Sequence, residues 1–124
     1  MPVVYSFDVD ETLEMSKGPI PLSALEELRA NGHIVGLAGN WGYFYACIKD
    51  WHKRISFINL GLPKSVWLAH FREILPHYEK YILVGNIMGV SGASDDQGEA
   101  ERAKWHFVKE SDFMEYSKKD RGII

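Results

Sequence analysis

Five apolar runs punctuate the chain, and each ends in a polar or glycine-containing turn. Val3–Phe7, Ile34–Ala38, Ile55–Leu60, Tyr81–Gly85 and Trp105–Val108 lack the strict alternation of a half-buried strand. Continuous apolar runs of this length predict strands buried on both faces, as in a parallel sheet. Between them, apolar positions recur at helical spacing. Leu22, Leu25 and Leu28 form a stripe that Pro21 or Leu22 opens and Asn31-Gly32 stops. Phe44, Ile48 and Trp51 predict a second helix over Trp41–Lys53. Val66, Trp67, Phe71, Ile74 and Leu75 predict a third, from Pro63-Lys64 to near Pro76. Asp96–Lys104 and Asp112–Lys119 read as two more. Glu14–Pro21, Gly39-Asn40 and Asn86–Ser94 carry the turn residues of loops. Strands alternating with helices predict an α/β fold with a parallel sheet and right-handed crossovers. No repeat, low-complexity tract or linker interrupts the pattern, so residues 1–124 read as one domain.

Composition narrows the function classes. The 124 residues are 46% hydrophobic and 25% charged, as in a globular protein with a single core. A net charge of −3 gives nucleic-acid binding no support. No apolar run approaches the ~20 residues of a membrane span. The first residues lack the charged-then-apolar pattern of a signal peptide. Cys47 is the one cysteine, so no intramolecular disulfide forms, in keeping with a reducing compartment. A cytoplasmic protein without nucleic-acid or membrane partners is the expectation. Four Trp, six Tyr and six Phe give a chain of this size a large apolar payload.

The chemistry starts where the first strand stops, at Asp8-Val9-Asp10-Glu11-Thr12. Carboxylates are rarely buried without a partner. Ligands of open α/β sheets bind beyond the carboxyl ends of the strands, where Asp8 and Asp10 would stand.

This stretch resembles the first motif, DxDxT, of the haloacid dehalogenase-like (HAD) hydrolase superfamily, most members of which are magnesium-dependent phosphohydrolases. The similarity runs from Val3 to about Trp105. It implies a three-layer Rossmann-like fold whose five-stranded parallel sheet has the order 5-4-1-2-3. It also implies that Asp8 is the nucleophile and Asp10 the general acid/base. A carboxylate that accepts a phosphoryl group forms an acyl phosphate, which water then hydrolyses. A second acid must protonate the leaving alcohol and deprotonate that water, and an Asp close to another Asp has its pKa raised by like charge, which suits the task. Relatives that cleave carbon–halogen bonds typically lack an acid at the second position, so Asp10 favours phosphate chemistry.

The remaining motifs follow in order. Lys64, after the third strand and Pro63, matches the lysine that neutralises nucleophile and phosphate. Thr12 belongs with the phosphate-binding residues. The resemblance places Mg²⁺ on Asp8, the Asp10 carbonyl and an acid of the fourth motif, and hard oxygen ligands suit that ion. That motif departs from the usual pattern. Asn86 follows Gly85 where relatives carry an acid, and Asp95 and Asp96 come later. Asp96 fits better, because Ala100 and Ala103 then fall where relatives have small residues; Asp is also a preferred helix N-cap. The second motif departs too. Ala38 replaces a Ser or Thr, leaving the backbone N–H groups of Gly39 and Asn40, and the Asn40 amide, to hold phosphate. Only a loop and one helix separate Thr12 from Ala38, and Gly61, Leu62 and Pro63 alone separate Leu60 from Lys64. No cap domain fits there, so selectivity falls to loops, a partner subunit or a bulky substrate.

The function implied is Mg²⁺-dependent hydrolysis of a phosphate monoester through an aspartyl-phosphate. A phosphotransferase would use the same residues. A catalytically impaired binding or regulatory domain is the rival class, with Ala38 and Asn86 as its signs. Trp41, Tyr43 and Tyr45 either line an open site or fill core and rim, and residue statistics favour core or rim. Cys47 reads as a small buried residue. The histidines lack metal-ligand spacing.

Overall fold

The computed structural model describes residues 2–59, 63–92 and 94–121, with side chains described as far as Lys118. Five strands form one parallel sheet: β1 (Val4–Phe7), β2 (Ile34–Leu37), β3 (Phe57–Ile58), β4 (Tyr81–Gly85) and β5 (His106–Lys109). Their order is β3-β2-β1-β4-β5, which counted from the other edge is 5-4-1-2-3. β1 is therefore central, pairing Phe7 with Leu37 on one side and with Val84 on the other. Every residue of β1 and β4 is buried, as their apolar runs predict.

Successive residues of a strand face opposite sides of a sheet, and the core divides accordingly. Tyr5 and Phe7 face the layer of α1 (Leu22–Ala30), α2 (Trp41–Cys47) and α5 (Phe113–Arg121), packing with Leu25, Leu28, Phe44 and Phe113. Val4 and Leu83 face the layer of α3 (Lys64–Ile74) and α4 (Asp96–Ala103), packing with Leu68, Phe71, Ala100 and Trp105. The result is a three-layer α/β fold. No described helix is long and apolar enough to cross a membrane.

Three boundaries differ from the sequence expectation. The second helix stops at Cys47 because Ile48 turns extended, at φ −114° and ψ 104°, and only Phe44 of α2 is buried. The stripe Phe44, Ile48, Trp51 is thus not one helical face. Trp51–Lys53 is a separate 3-10 turn, and Cys47 is exposed rather than buried. β3 has two residues instead of six, and Leu60 lies outside the described residues. Trp105 is not in β5 but ahead of it, where its indole N–H donates to the Leu68 carbonyl at 2.9 Å and ties α3 to the sheet.

Candidate active site

The carboxyl ends of all five strands bring polar residues to one edge: Asp8 after β1, Gly39-Asn40 after β2, Asn59 after β3, Asn86 after β4 and Glu110 after β5. The Asp8 N–H donates to the Val84 carbonyl at 2.8 Å, and the Ala38 N–H donates to the Phe7 carbonyl at 2.8 Å. These bonds extend the ladders to both neighbouring strands and fix Asp8 at the sheet's centre.

The Asp8 side chain is buried and does have partners. Lys64 Nζ donates to Asp8 Oδ1 at 3.0 Å and also to Asp96 Oδ1. Thr12 Oγ1 lies 3.4 Å from both Asp8 Oδ2 and Asn86 Oδ1, so one hydroxyl proton is shared between two acceptors. Thr12 is fully buried and holds Asp8 from behind. Gly39 lets the next strand end approach: a Cβ there would overlap Asp8 Oδ1 and lie 3.0 Å from the Val9 nitrogen.

Lys64 is the first residue of α3, whose N-cap, Pro63, offers no capping side chain. Glu99 of α4 supplies the cap instead, its Oε1 accepting the Ser65 N–H at 2.8 Å. The ammonium is thereby aimed between two acids. Burial pushes the Lys64 pKa down, but Asp8 and Asp96 outweigh it and the net direction is up. Burial raises Asp8, Lys64 opposes it and Asp96 adds to it, leaving the carboxyl at about 6 instead of 3.8.

The neighbouring aspartates of the fourth motif divide their tasks. Asp95 is the N-cap of α4, accepting the Gly98 N–H at 3.2 Å, and its carboxylate also pairs with Arg102. Asp96 is fully buried against Lys64, and its Oδ2 accepts the Asn86 N–H at 2.8 Å. Gly85 makes room for it. A Cβ at that position would come within 2.7 Å of Asp96 Cγ and 2.8 Å of Asp96 Cβ.

Asp10 stands on the exposed rim of the same edge. Ser16 Oγ donates to its Oδ1 at 2.9 Å, and Asn40 Nδ2 lies 3.4 Å from both carboxylate oxygens. The other end of the Asn40 amide caps α2 by accepting the Tyr43 N–H. Asn40 thus orients the acid that the resemblance names as proton donor. Between Asp10 and Thr12 the chain turns through Glu11 at φ +58°, a left-handed conformation that costs a non-glycine residue on the order of 1 kcal/mol.

Asn86, expected among the metal ligands, has its side chain engaged within the protein. Its side chain is fully buried. Nδ2 donates to Glu110 Oε1 at 2.8 Å and to the Glu11 carbonyl at 3.1 Å, while Oδ1 faces Thr12. An acid at this position would confront Glu110, so the neutral amide matches its surroundings. Burial raises the Glu110 pKa, but hydrogen bonds from Ser91, Asn86 and Ser111 outweigh it, and the carboxylate is held below its usual range. Asn86 joins Asp8, through Thr12, to Asp96, through its own N–H.

The donor set fits a hard cation. Asp8 remains high despite its lysine partner, so Lys64 alone does not compensate the buried negative charge. Asp8, Asp96 and the Asp10 carbonyl are the oxygens that would hold Mg²⁺, an ion that uses few carboxylates and keeps several waters. Among the described residues no three His, Cys, Asp or Glu side chains form a ready cage. Beside this cluster lies an open cleft of about 370 Å³, lined in part by Gly39, Asn59, Lys64, Asp96 and Glu99.

Sequence reasoning missed Glu99, Glu110 and Asn59. Glu99 lies three residues after Asp96, on the same face of α4, so its helical spacing was a usable signal. Glu110 and Asn59 share only the general mark of polarity after a strand. No family model matches the chain, and neither a curated protein nor a solved structure matches it.

Proposed function

We propose that this chain is a HAD-type phosphohydrolase, without a cap, that cleaves phosphate monoesters with Mg²⁺ as cofactor. The observation that carries the reading is the buried Asp8–Lys64–Asp96 cluster at the carboxyl edge of the central strand, with Asp10 exposed two residues after Asp8 and held by Ser16 and Asn40. A solvated turn after a strand would bury neither carboxylate. Asp8 attacks phosphorus, the ester P–O bond breaks, and Asp10 gives its proton to the departing alcohol. Asp10 then takes a proton from water, which attacks the aspartyl-phosphate and releases inorganic phosphate and the Asp8 carboxylate. Lys64 counters negative charge on Asp8 and on the bound phosphoryl group, and Asn40 keeps Asp10 in position. Bound Mg²⁺ supplies further positive charge against the transferring phosphoryl oxygens. The Gly39 and Asn40 N–H groups would take the part of the Ser or Thr hydroxyl missing at Ala38. A reducing, cytoplasmic setting belongs to this reading.

A non-catalytic binding domain on the same fold is the second reading. Ala38, and the closure of Asn86 onto Glu110, favour it. Incubation with Mg²⁺ and a chromogenic phosphate monoester separates the two. The enzyme reading predicts release of phosphate that Asp8→Asn abolishes. No release by the wild type, or equal release by both proteins, contradicts it.

A further inference from the structure

A second cavity, of about 300 Å³, lies between α2 and the edge strand β3. Its walls include Trp41, Phe44, Tyr45, Trp51, Phe57 and Ile58. Side chains of this kind on an enzyme surface make a site for a flat apolar group. Trp41 and Tyr45 remain 40% and 57% exposed, so the ring faces are not used up by the core. Tyr45 and Trp51 have ring centroids 5.4 Å apart and form one wall together.

Two chain segments run from this cavity to the cleft beside Lys64. Trp41 directly follows Asn40, which holds Asp10, and Ile58 directly precedes Asn59, which lines the cleft. Asn59 is 5% exposed, and among the described residues its Oδ1 has no hydrogen-bond partner. A buried acceptor without a donor costs stability unless a ligand satisfies it. Asn59 thus stands, among the described residues, as an acceptor without a donor, in the cleft beside the acidic–lysine cluster and one residue from the aromatic cavity.

We infer that this cavity holds the aromatic ring of the substrate's alcohol portion, and that the substrate is a phosphate monoester of a ring-bearing alcohol with a hydrogen-bond donor facing Asn59. This rests on the phosphohydrolase reading and names its substrate class. The phosphoryl group sits over Asp8 and Lys64, the scissile oxygen points toward Asp10, and the ring lies along α2. With no cap to close over the substrate, this wall beside the cleft supplies the selectivity.

The test compares 2-(2-naphthyl)ethyl phosphate with n-butyl phosphate, both esters of primary alcohols with similar leaving ability. It uses the full chain with Mg²⁺ and the variants Trp41→Ala and Trp51→Ala. Saturable binding of 2-naphthylethanol to the wild type, followed by tryptophan fluorescence, is measured beside it. The wild type is expected to favour the naphthyl ester in kcat/KM by about 10–100-fold, with that ratio falling toward one in both variants. The alcohol is expected to bind the wild type and to bind the variants more weakly. Turnover of both esters at equal kcat/KM, without binding of the alcohol, overturns the inference and leaves the phosphohydrolase reading standing. No turnover of either ester, with the alcohol still bound, overturns the substrate assignment together with the reading it rests on.

Discussion

Replacing Asp8 by Asn should stabilise the fold at neutral pH while removing the proposed nucleophile. Asp8 is 2% exposed, and its carboxyl sits at about 6 where an unburied one sits at 3.8. A shift of about two units corresponds to about 3 kcal/mol against the ionised form in the fold. The attraction to Lys64 is already contained in that shift. The folded state holds the Asp8 proton more tightly than the unfolded chain does. Wild-type stability therefore falls as pH rises from about 4 to about 6, and the cost is fully present above that window. The variant has no charge to bury. Its amide can also donate to Thr12 Oγ1, which frees the hydroxyl proton for Asn86 Oδ1, where the wild type shares one proton between two acceptors. Urea denaturation of both proteins between pH 4 and 7.5 measures the difference. It should be near zero at pH 4 and approach about 3 kcal/mol in favour of the variant at pH 7.5, or about 10 °C in Tm. A difference that stays constant over that range, or a variant less stable at pH 7.5, refutes the reasoning.

Other outcomes follow from the same contacts. Asn86→Asp sets a carboxylate against Glu110 and should cost about 1–3 kcal/mol at pH 7, shrinking as the pH is lowered toward 5, by urea denaturation at both values. Gly85→Ala pushes on the Asp96 side chain and should cost about 1–3 kcal/mol in Tm or urea midpoint and lower phosphatase kcat/KM at least tenfold, since Lys64 loses its second anchor. Glu99→Ala removes the cap of α3 and should cost about 1 kcal/mol in the same denaturation assay. In the Mg²⁺-free protein the Asp8 carboxyl should titrate near 6 by carboxyl-carbon NMR, and Mg²⁺ bound there should lower that value.

The strands and the central acid were legible because apolar runs ending in carboxylates are rare and local. Asp8 and Lys64 come together because each follows a strand that ends at the same sheet edge. Asp96 is preferred to Asp95 through the resemblance, since Ala100 and Ala103 then fall where relatives have small residues, and all three are buried on α4. The early stop of α2 was not legible. Phe44, Ile48 and Trp51 fit a helical period, and only the tertiary packing turns Ile48 extended and leaves Cys47 in solvent. The Asn86–Glu110 bond was not legible either. It joins the ends of two strands far apart in sequence and engages the Asn86 side chain within the protein. The contact of Thr12 with Asp8, and its full burial, were not legible from the motif alone.

The central claim is that Asp8 accepts a phosphoryl group. The most direct measurement mixes the protein with Mg²⁺ and a reactive phosphate monoester, quenches with acid within milliseconds to seconds, and maps the peptides by mass spectrometry. The account predicts a phosphoryl adduct on the peptide carrying Asp8, sensitive to hydroxylamine as an acyl phosphate is. That adduct should be absent from Asp8→Asn and longer-lived in Asp10→Asn, whose rim residue can no longer deprotonate the attacking water. Phosphate release without any adduct on that peptide, or an adduct that persists in Asp8→Asn, would contradict it.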